Sequence, residues 1–242
     1  MKKKPQRIKH CRIVLKLSGE FIGNESRTFD KSAIGYTVEQ IIQSKNLGAR
    51  IGIVVGAGNI IRGRDAGWLD KIDADLCGMV GTLINGIVLH SMLKEKKQRV
   101  KLSSALALGG IAETFNKFSD LEFYESGGIL IFTGGTGNPL FTTDTAAALR
   151  AVQLRADVLI KGTKVAGVYS SDPNKNKRAT FYKELTYDQV IGKQLKVMDL
   201  AAFNICREAA IPIHVYDFMQ HRLPDIISGK TAGTIISGGR ND

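Results

Sequence analysis

The chain has 242 residues, 43% of them hydrophobic and 24% charged, which allows one sizeable buried core and excludes a disordered or collagen-like polypeptide. Its formal net charge is +11, but six positive charges, on Lys2, Lys3, Lys4, Arg7, Lys9 and Arg12, fall within the first dozen residues. A basic terminus on a mildly basic body fits an anionic substrate better than a DNA-reading surface, so nucleic acid is not an expected partner.

The terminus does not read as an export signal, because residues 5–12 are polar and the apolar run after them is interrupted by Lys16. Cys11, Cys77 and Cys206 are odd in number, far apart and without Cys-x-x-Cys spacing. Buried thiols in a reducing cytoplasm are expected, with no metal site. Residues 1–11 read as a basic tail and 12–242 as a single domain, since no Pro- or Ser-rich linker divides them.

In chain order, a strand is predicted at 13–17, a helix at 30–47, a strand at 51–55 and a helix at 73–96. Strands at 100–103 and 128–133, a helix at 143–155, a strand at 158–160, a helix at 198–209 and a strand at 213–216 follow. The strands are short, mostly continuous apolar runs, as in parallel sheets covered on both faces; each helix opens near an Asp, Ser or Thr that can cap it. This alternation implies a three-layer α/β/α sandwich around a mainly parallel sheet.

The stretch 76–93 lacks Asp, Glu, Lys and Arg and approaches the roughly 20 residues of a bilayer span. Thr82, Asn85, His90 and Ser91 argue against a membrane. A core or subunit-interface helix, buried on most faces, is expected, with Gly78, Gly81 and Gly86 allowing close backbone approach.

Ligands in open α/β sheets bind beyond the carboxyl ends of the strands. The first strand runs into Lys16-Leu17-Ser18-Gly19-Glu20, the second into Gly56-Ala57-Gly58-Asn59 with Arg62 behind, and another into Thr133-Gly134-Gly135-Thr136-Gly137-Asn138. Glycines let successive backbone N–H groups approach phosphate oxygens while Lys or Arg neutralises them, so several phosphates are expected. Gly229-Lys230-Thr231 is no P-loop, because Pro224 occupies the leading glycine position, and Ile61 breaks a dinucleotide fingerprint. Thr142-Thr143-Asp144 opens a helix behind the glycine run and makes an anion pocket at its positive end. His10, His90, His214 and His221 are scattered, which leaves hydrolytic triads without support.

Together with the whole run 135–144, residues 161–169, Asp172-Pro173 and the stretch Leu-Lys-Val-Met-Asp-Leu-Ala-Ala-Phe at 195–203, these loops resemble the bacterial uridylate kinases of the amino acid kinase superfamily from about residue 12 onward. The resemblance implies a phosphotransferase that moves the ATP γ-phosphate to UMP in pyrimidine nucleotide synthesis, with Mg²⁺ carried by ATP and a homohexamer as the assembly. It assigns Lys16, Leu17, Ser18, Gly19, Gly58, Arg62, Thr163, Tyr169 and Asp172 to ATP, and Lys16, Arg62, Asp144 and Lys161 to catalysis. UMP falls to Ala57, Asp75, Thr136, Gly137, Asn138, Pro139, Leu140, Phe141, Thr142 and Thr143, with Asp75 facing the ribose hydroxyls. Asp144 is expected to orient the lysines and not to abstract a proton.

Two departures stand out. Ala57 replaces a glycine usual in that family, adding a methyl group beside the acceptor, and Ala166 replaces an Asp. Residues 23–27 do not match the glycine-rich segment of GTP-activated members, so GTP activation is not expected, whereas UTP inhibition at the acceptor site is. Two rivals are an amino-acid-directed kinase of the same fold and a nucleic-acid-binding sensor; substrate choice and salt-dependent binding separate them.

Overall fold

The computed structural model describes residues 8–24, 26–61 and 67–238. Their elements are β1 (Arg12–Leu17), α1 (Lys31–Asn46), β2 (Arg50–Val55), α2 (Lys71–Glu95), β3 (Val100–Ser104), β4 (Glu113–Thr114), α3 (Lys117–Glu125), β5 (Ile129–Thr133) and α4 (Thr143–Gln153). There follow β6 (Val158–Thr163), β7 (Val168–Tyr169), β8 (Phe181–Tyr182), β9 (Glu184–Thr186), α5 (Tyr187–Gly192), α6 (Leu200–Glu208), β10 (Ile213–Asp217), α7 (Leu223–Ile227) and β11 (Thr234–Ser237). Every predicted strand and helix is present.

The described residues form a nine-stranded sheet in the order β4-β3-β5-β2-β1-β6-β10-β11-β9, in which only β10 and β11 pair antiparallel; β7 and β8 make a separate ribbon. Alternating side chains of β1 reach two cores. Ile13, Leu15 and Leu17 join residues of α1, α2 and α7, whereas Val14 joins α3, α4, α5 and α6 on the other face. Lys16 shares the face of Val14 and comes to lie beneath α4. That helix approaches the sheet closely because Ala146, Ala147, Ala148 and Ala151 supply its buried side. Since β5, β2, β1 and β6 are adjacent and parallel, the loops that leave their carboxyl ends stand in one row.

The structure corrects three expectations. Helix α2 is buried on one face only: Ile72, Leu76, Val80, Ile84 and Ile87 form an exposed apolar stripe, and a β-carbon on Gly78 would meet nothing within 4 Å. By length and composition α2 could cross a membrane, yet its polar Asn85 is wholly buried against the loop that follows β2. Cys206 is buried, but Cys77 lies on the exposed side of α2 and Cys11 precedes the first strand, both exposed. Residues 8–11, read as part of a tail, are tied down. Ile8 packs on the core, the N–H groups of Lys9 and His10 donate to Ile227 O, and those of Cys11 and Arg12 donate to Asp157.

Candidate active site

The register of β1 against β6 sets Lys16 directly opposite Lys161. Parallel neighbours stand about 4.8 Å apart, so two ammonium groups on one face need an anion between them. Asp144, in the first turn of α4, provides it: Lys16 Nζ lies 2.8 Å from Oδ1 and Lys161 Nζ 2.6 Å from Oδ2. Lys161 Nζ also donates to the carbonyl of Val197. Burial works against the charge on Asp144, but Lys16 and Lys161 outweigh it and hold the carboxyl down at about 2. Burial likewise lowers the Lys161 ammonium, which Lys16 reinforces and Asp144 opposes, leaving it at about 8. Asp144 is thus an ionised clamp with both oxygens engaged, unsuited to act as a base. The three side chains carry one surplus positive charge in the middle of the loop row.

Three of those loops converge on Gly56. Its N–H donates to Leu17 O at 2.8 Å, and a β-carbon there would lie 3.5 Å from both the Gly19 nitrogen and Thr143 Oγ1. Gly19 admits no side chain at all, because its β-carbon would stand 2.1 Å from Asn59 Oδ1 and 2.8 Å from Gly56 O. Ser18 caps the 3₁₀ turn Gly19–Phe21, its Oγ accepting from the Glu20 N–H. Buried Asn85 donates to Gly56 O and to Asn59 Oδ1, each at 2.7 Å, and Asn59 donates onward to Thr28 O. Ala57 and Gly58 belong to this braced turn, whereas Arg62 lies outside the described residues.

The loop after β5 bends through left-handed backbone at Gly134 (φ 75°), Gly135 (φ 57°), Gly137 (φ 81°) and Leu140 (φ 69°). Helix α2 pins it at two places. Gly134 N–H donates to Thr82 Oγ1 and Leu140 N–H to Asp75 Oδ2, both at 2.8 Å. One oxygen of Asp75, expected on a ribose, is therefore engaged by the loop. The Thr136 hydroxyl closes a local turn with Asn138, Pro139 follows, and Leu140 and Phe141 leave apolar side chains exposed. Thr142 caps α4 through the Asp144 N–H; its hydroxyl and that of Thr145 donate to Asp199, which itself caps α6.

Beyond β6 opens a cleft of about 700 Å³ whose walls include Thr163, Val168, Tyr169, Asp172, Lys196 and Val197. Tyr169 packs at a tilt on Phe181, ring centroids 5.3 Å apart, while Asp172 accepts from the Asn174 N–H and shapes the turn beneath. Thr163 Oγ1 is turned toward the carbonyls of Val165 and Tyr216. Because Val197 both lines the cleft and accepts from Lys161, the cleft abuts the cationic centre. A cavity of about 750 Å³ beside β3 takes none of its lining from these loops.

The model of the amino acid kinase family matches residues 12–217. The chain belongs to the amino acid kinase family. It is 42% identical over 231 residues to the uridylate kinase of Colwellia psychrerythraea, covering 93% of each chain. To that of Parabacteroides distasonis it is 40% identical, over 93% of this chain and 97% of the relative. Among solved structures, the UMP kinase of Bacillus anthracis superposes with a TM-score of 0.90 at 31% identity, covering 94% of this chain and 96% of the other. The UMP kinase of Ureaplasma parvum gives 0.87 at 32%, covering 95% and 100%.

In this member of the family the structure gathers Lys16, Asp144 and Lys161 into one cluster and sets Thr163, Tyr169 and Asp172 along one cleft. Sequence reasoning missed Thr82, Asn85, Thr145 and Asp199 as site residues; they shape the site by holding backbone and hydroxyl groups. Asn85 did leave a signal, being an amide inside an apolar helix, and so did Asp199, a capping residue within a quoted motif.

Proposed function

We infer that this chain transfers the γ-phosphoryl group of MgATP to UMP, giving ADP and UDP, and so serves pyrimidine nucleotide synthesis. The observation that carries the reading is the pair Lys16 and Lys161, in register and clamped by Asp144, between the cleft beyond β6 and the loop after β5. Support comes also from the uridylate and UMP kinases to which the chain is similar over nearly its whole length.

An acceptor phosphate is already anionic, so the reaction asks for alignment and charge neutralisation rather than proton abstraction. Lys16 and Lys161 neutralise charge on the transferring group, with Arg62 as a third cation, and Asp144 fixes the two lysines. Backbone N–H groups of Leu17, Ser18, Gly19 and Gly58 cradle donor phosphates, while Thr163, Tyr169 and Asp172 line the side taken by the ATP nucleoside. UMP lies against Ala57, Asp75 and the run Thr136, Gly137, Asn138, Pro139, Leu140, Phe141, Thr142 and Thr143. Mg²⁺ enters as part of MgATP, held chiefly by phosphate oxygens and water, because it needs few protein ligands.

Residues 12–242 act as one catalytic domain in a cytoplasmic homohexamer, a trimer of dimers. The exposed stripe of Ile72, Leu76, Val80, Ile84 and Ile87 supports a subunit contact. UTP inhibits at the acceptor site and GTP does not activate. The deciding experiment offers the purified protein UMP, CMP, other nucleoside monophosphates, acetylglutamate and aspartate with MgATP, and follows ADP release. UMP is expected to be the preferred acceptor; turnover of an amino acid with none of UMP would overturn the reading.

A further inference from the structure

The inner face of α2 braces the acceptor side of the site: Asp75 holds Leu140, Thr82 holds Gly134, and Asn85 holds Gly56. On this face lies Gly81, one of the glycines expected to allow close backbone approach. A β-carbon built on Gly81 would stand 2.9 Å from the β-carbon of Ala57, with Ile61 Cγ2 at 3.6 Å and Ile60 Cβ at 3.8 Å. Carbon atoms pack best at about 3.5–4.0 Å, so the space between α2 and the loop after β2 holds one methyl group and not two. Here that methyl belongs to Ala57, which is 8% exposed. The extra carbon at 57 therefore faces the helix.

We propose that Gly81 is a positioning residue for the acceptor site, paired with Ala57 so that a single methyl group sets the distance between α2 and the acceptor loop. The proposal rests on the reading of that loop as the UMP site. A methyl on Ala57 cannot retreat by rotating, because it is fixed to the backbone. The Ala57 carbonyl accepts from the N–H groups of Ile60 at 2.9 Å and Ile61 at 3.0 Å, and neighbouring Gly56 is tied to Leu17 and Asn85. A second methyl must shift this braced turn as a body, and Gly56 is where the β1 loop and Thr143 meet it. The ATP cleft beyond β6 has no residue in the contact.

The test is a four-member cycle measured by steady-state kinetics and thermal melting: wild type, Gly81→Ala, Ala57→Gly, and the swapped double variant. Gly81→Ala should raise the KM for UMP about tenfold and leave that for ATP within about twofold, since small misplacements of a bound reactant are costly. Ala57→Gly in the same chain should bring the UMP KM back to within about twofold of wild type, a coupling that independent sites do not show. Gly35→Ala on α1, where an added β-carbon meets nothing within 4 Å, controls for the better helix propensity of alanine and should alter neither KM. An unchanged UMP KM in Gly81→Ala, or a folded double variant that is not restored, overturns the proposal. If Gly81→Ala fails to fold, a folded double variant with native KM supports the pairing and an unfolded one refutes it. A wild type inactive on UMP would instead refute the functional reading, while melting temperatures across the cycle would still show whether the two sites couple.

Discussion

Two buried lysine–aspartate clusters stand on the same sheet and differ in sign. At the centre, Lys16 and Lys161 share Asp144 and leave a cation in surplus. Toward the edge, Lys101 of β3 is shared by Asp120 of α3 at 2.8 Å and Glu113 of β4 at 2.7 Å, and Ser103 Oγ donates to the same Asp120. Burial lowers both Lys161 and Lys101, yet two carboxylates carry Lys101 above the ordinary lysine value, whereas a second ammonium helps keep Lys161 below it. The edge cluster neutralises its own cation and joins β3 to α3 and β4. The central one keeps a surplus positive charge, and of the two only it lies where glycine loops bring backbone N–H groups alongside.

The largest expected effect separates the two clusters by activity. Lys16→Ala should lower turnover at least about 10²-fold, the usual scale for removing a group that stabilises developing charge. Circular dichroism should show the fold retained, because Lys161 still pairs with Asp144. Lys101→Met should do the reverse: Asp120, wholly buried, loses its ammonium partner, which costs about 3 kcal/mol or more of stability, while turnover at a temperature well below melting stays within about twofold. Chemical denaturation and steady-state rates on both variants check the contrast, and equal losses of activity would abolish it.

A smaller effect sharpens the comparison through pH. Lys161 titrates near 8 in the folded chain against about 10.4 when unfolded, so between those values the unfolded state binds more protons. This group therefore adds stability as pH rises through the window, even as it loses the charge needed for phosphate. Lys101 has the opposite sign: its contribution is present below the unfolded pKa and is lost as pH rises through the elevated folded value. Accordingly kcat/KM for ATP should begin to fall near pH 8, before any fall in melting temperature. Parallel decline of both from the same pH would contradict the assignment.

The long elements were legible because each carries its own signal, an apolar run for the central strands and a capped pattern for α1, α2, α4 and α6. Helices α5 and α7 span six and five residues, too short for a period to emerge, and α3 mixes charge with Phe and Tyr. Strands β4, β7, β8, β9 and β11 take their place from the partners they pair with. Lys16, Asp144 and Lys161 each sit in a stretch that the sequence marks, and the structure brings the three together. That two strands so distant in the chain would set both lysines face to face is a matter of register, which no local pattern records. Asn85 and Asp199 act on groups far along the chain, and the direction of the Ala57 methyl depends on a glycine on another element.

Phosphoryl transfer is predicted to take place at the surplus charge held by Asp144. A crystal structure with UMP and a non-hydrolysable ATP analogue bound together tests it most directly. The γ-phosphate should lie within hydrogen-bond reach of Lys16 Nζ, with the UMP phosphate facing it from the loop after β5. A γ-phosphate seated away from Lys16 and Lys161, or a UMP bound elsewhere than that loop, would contradict the claim.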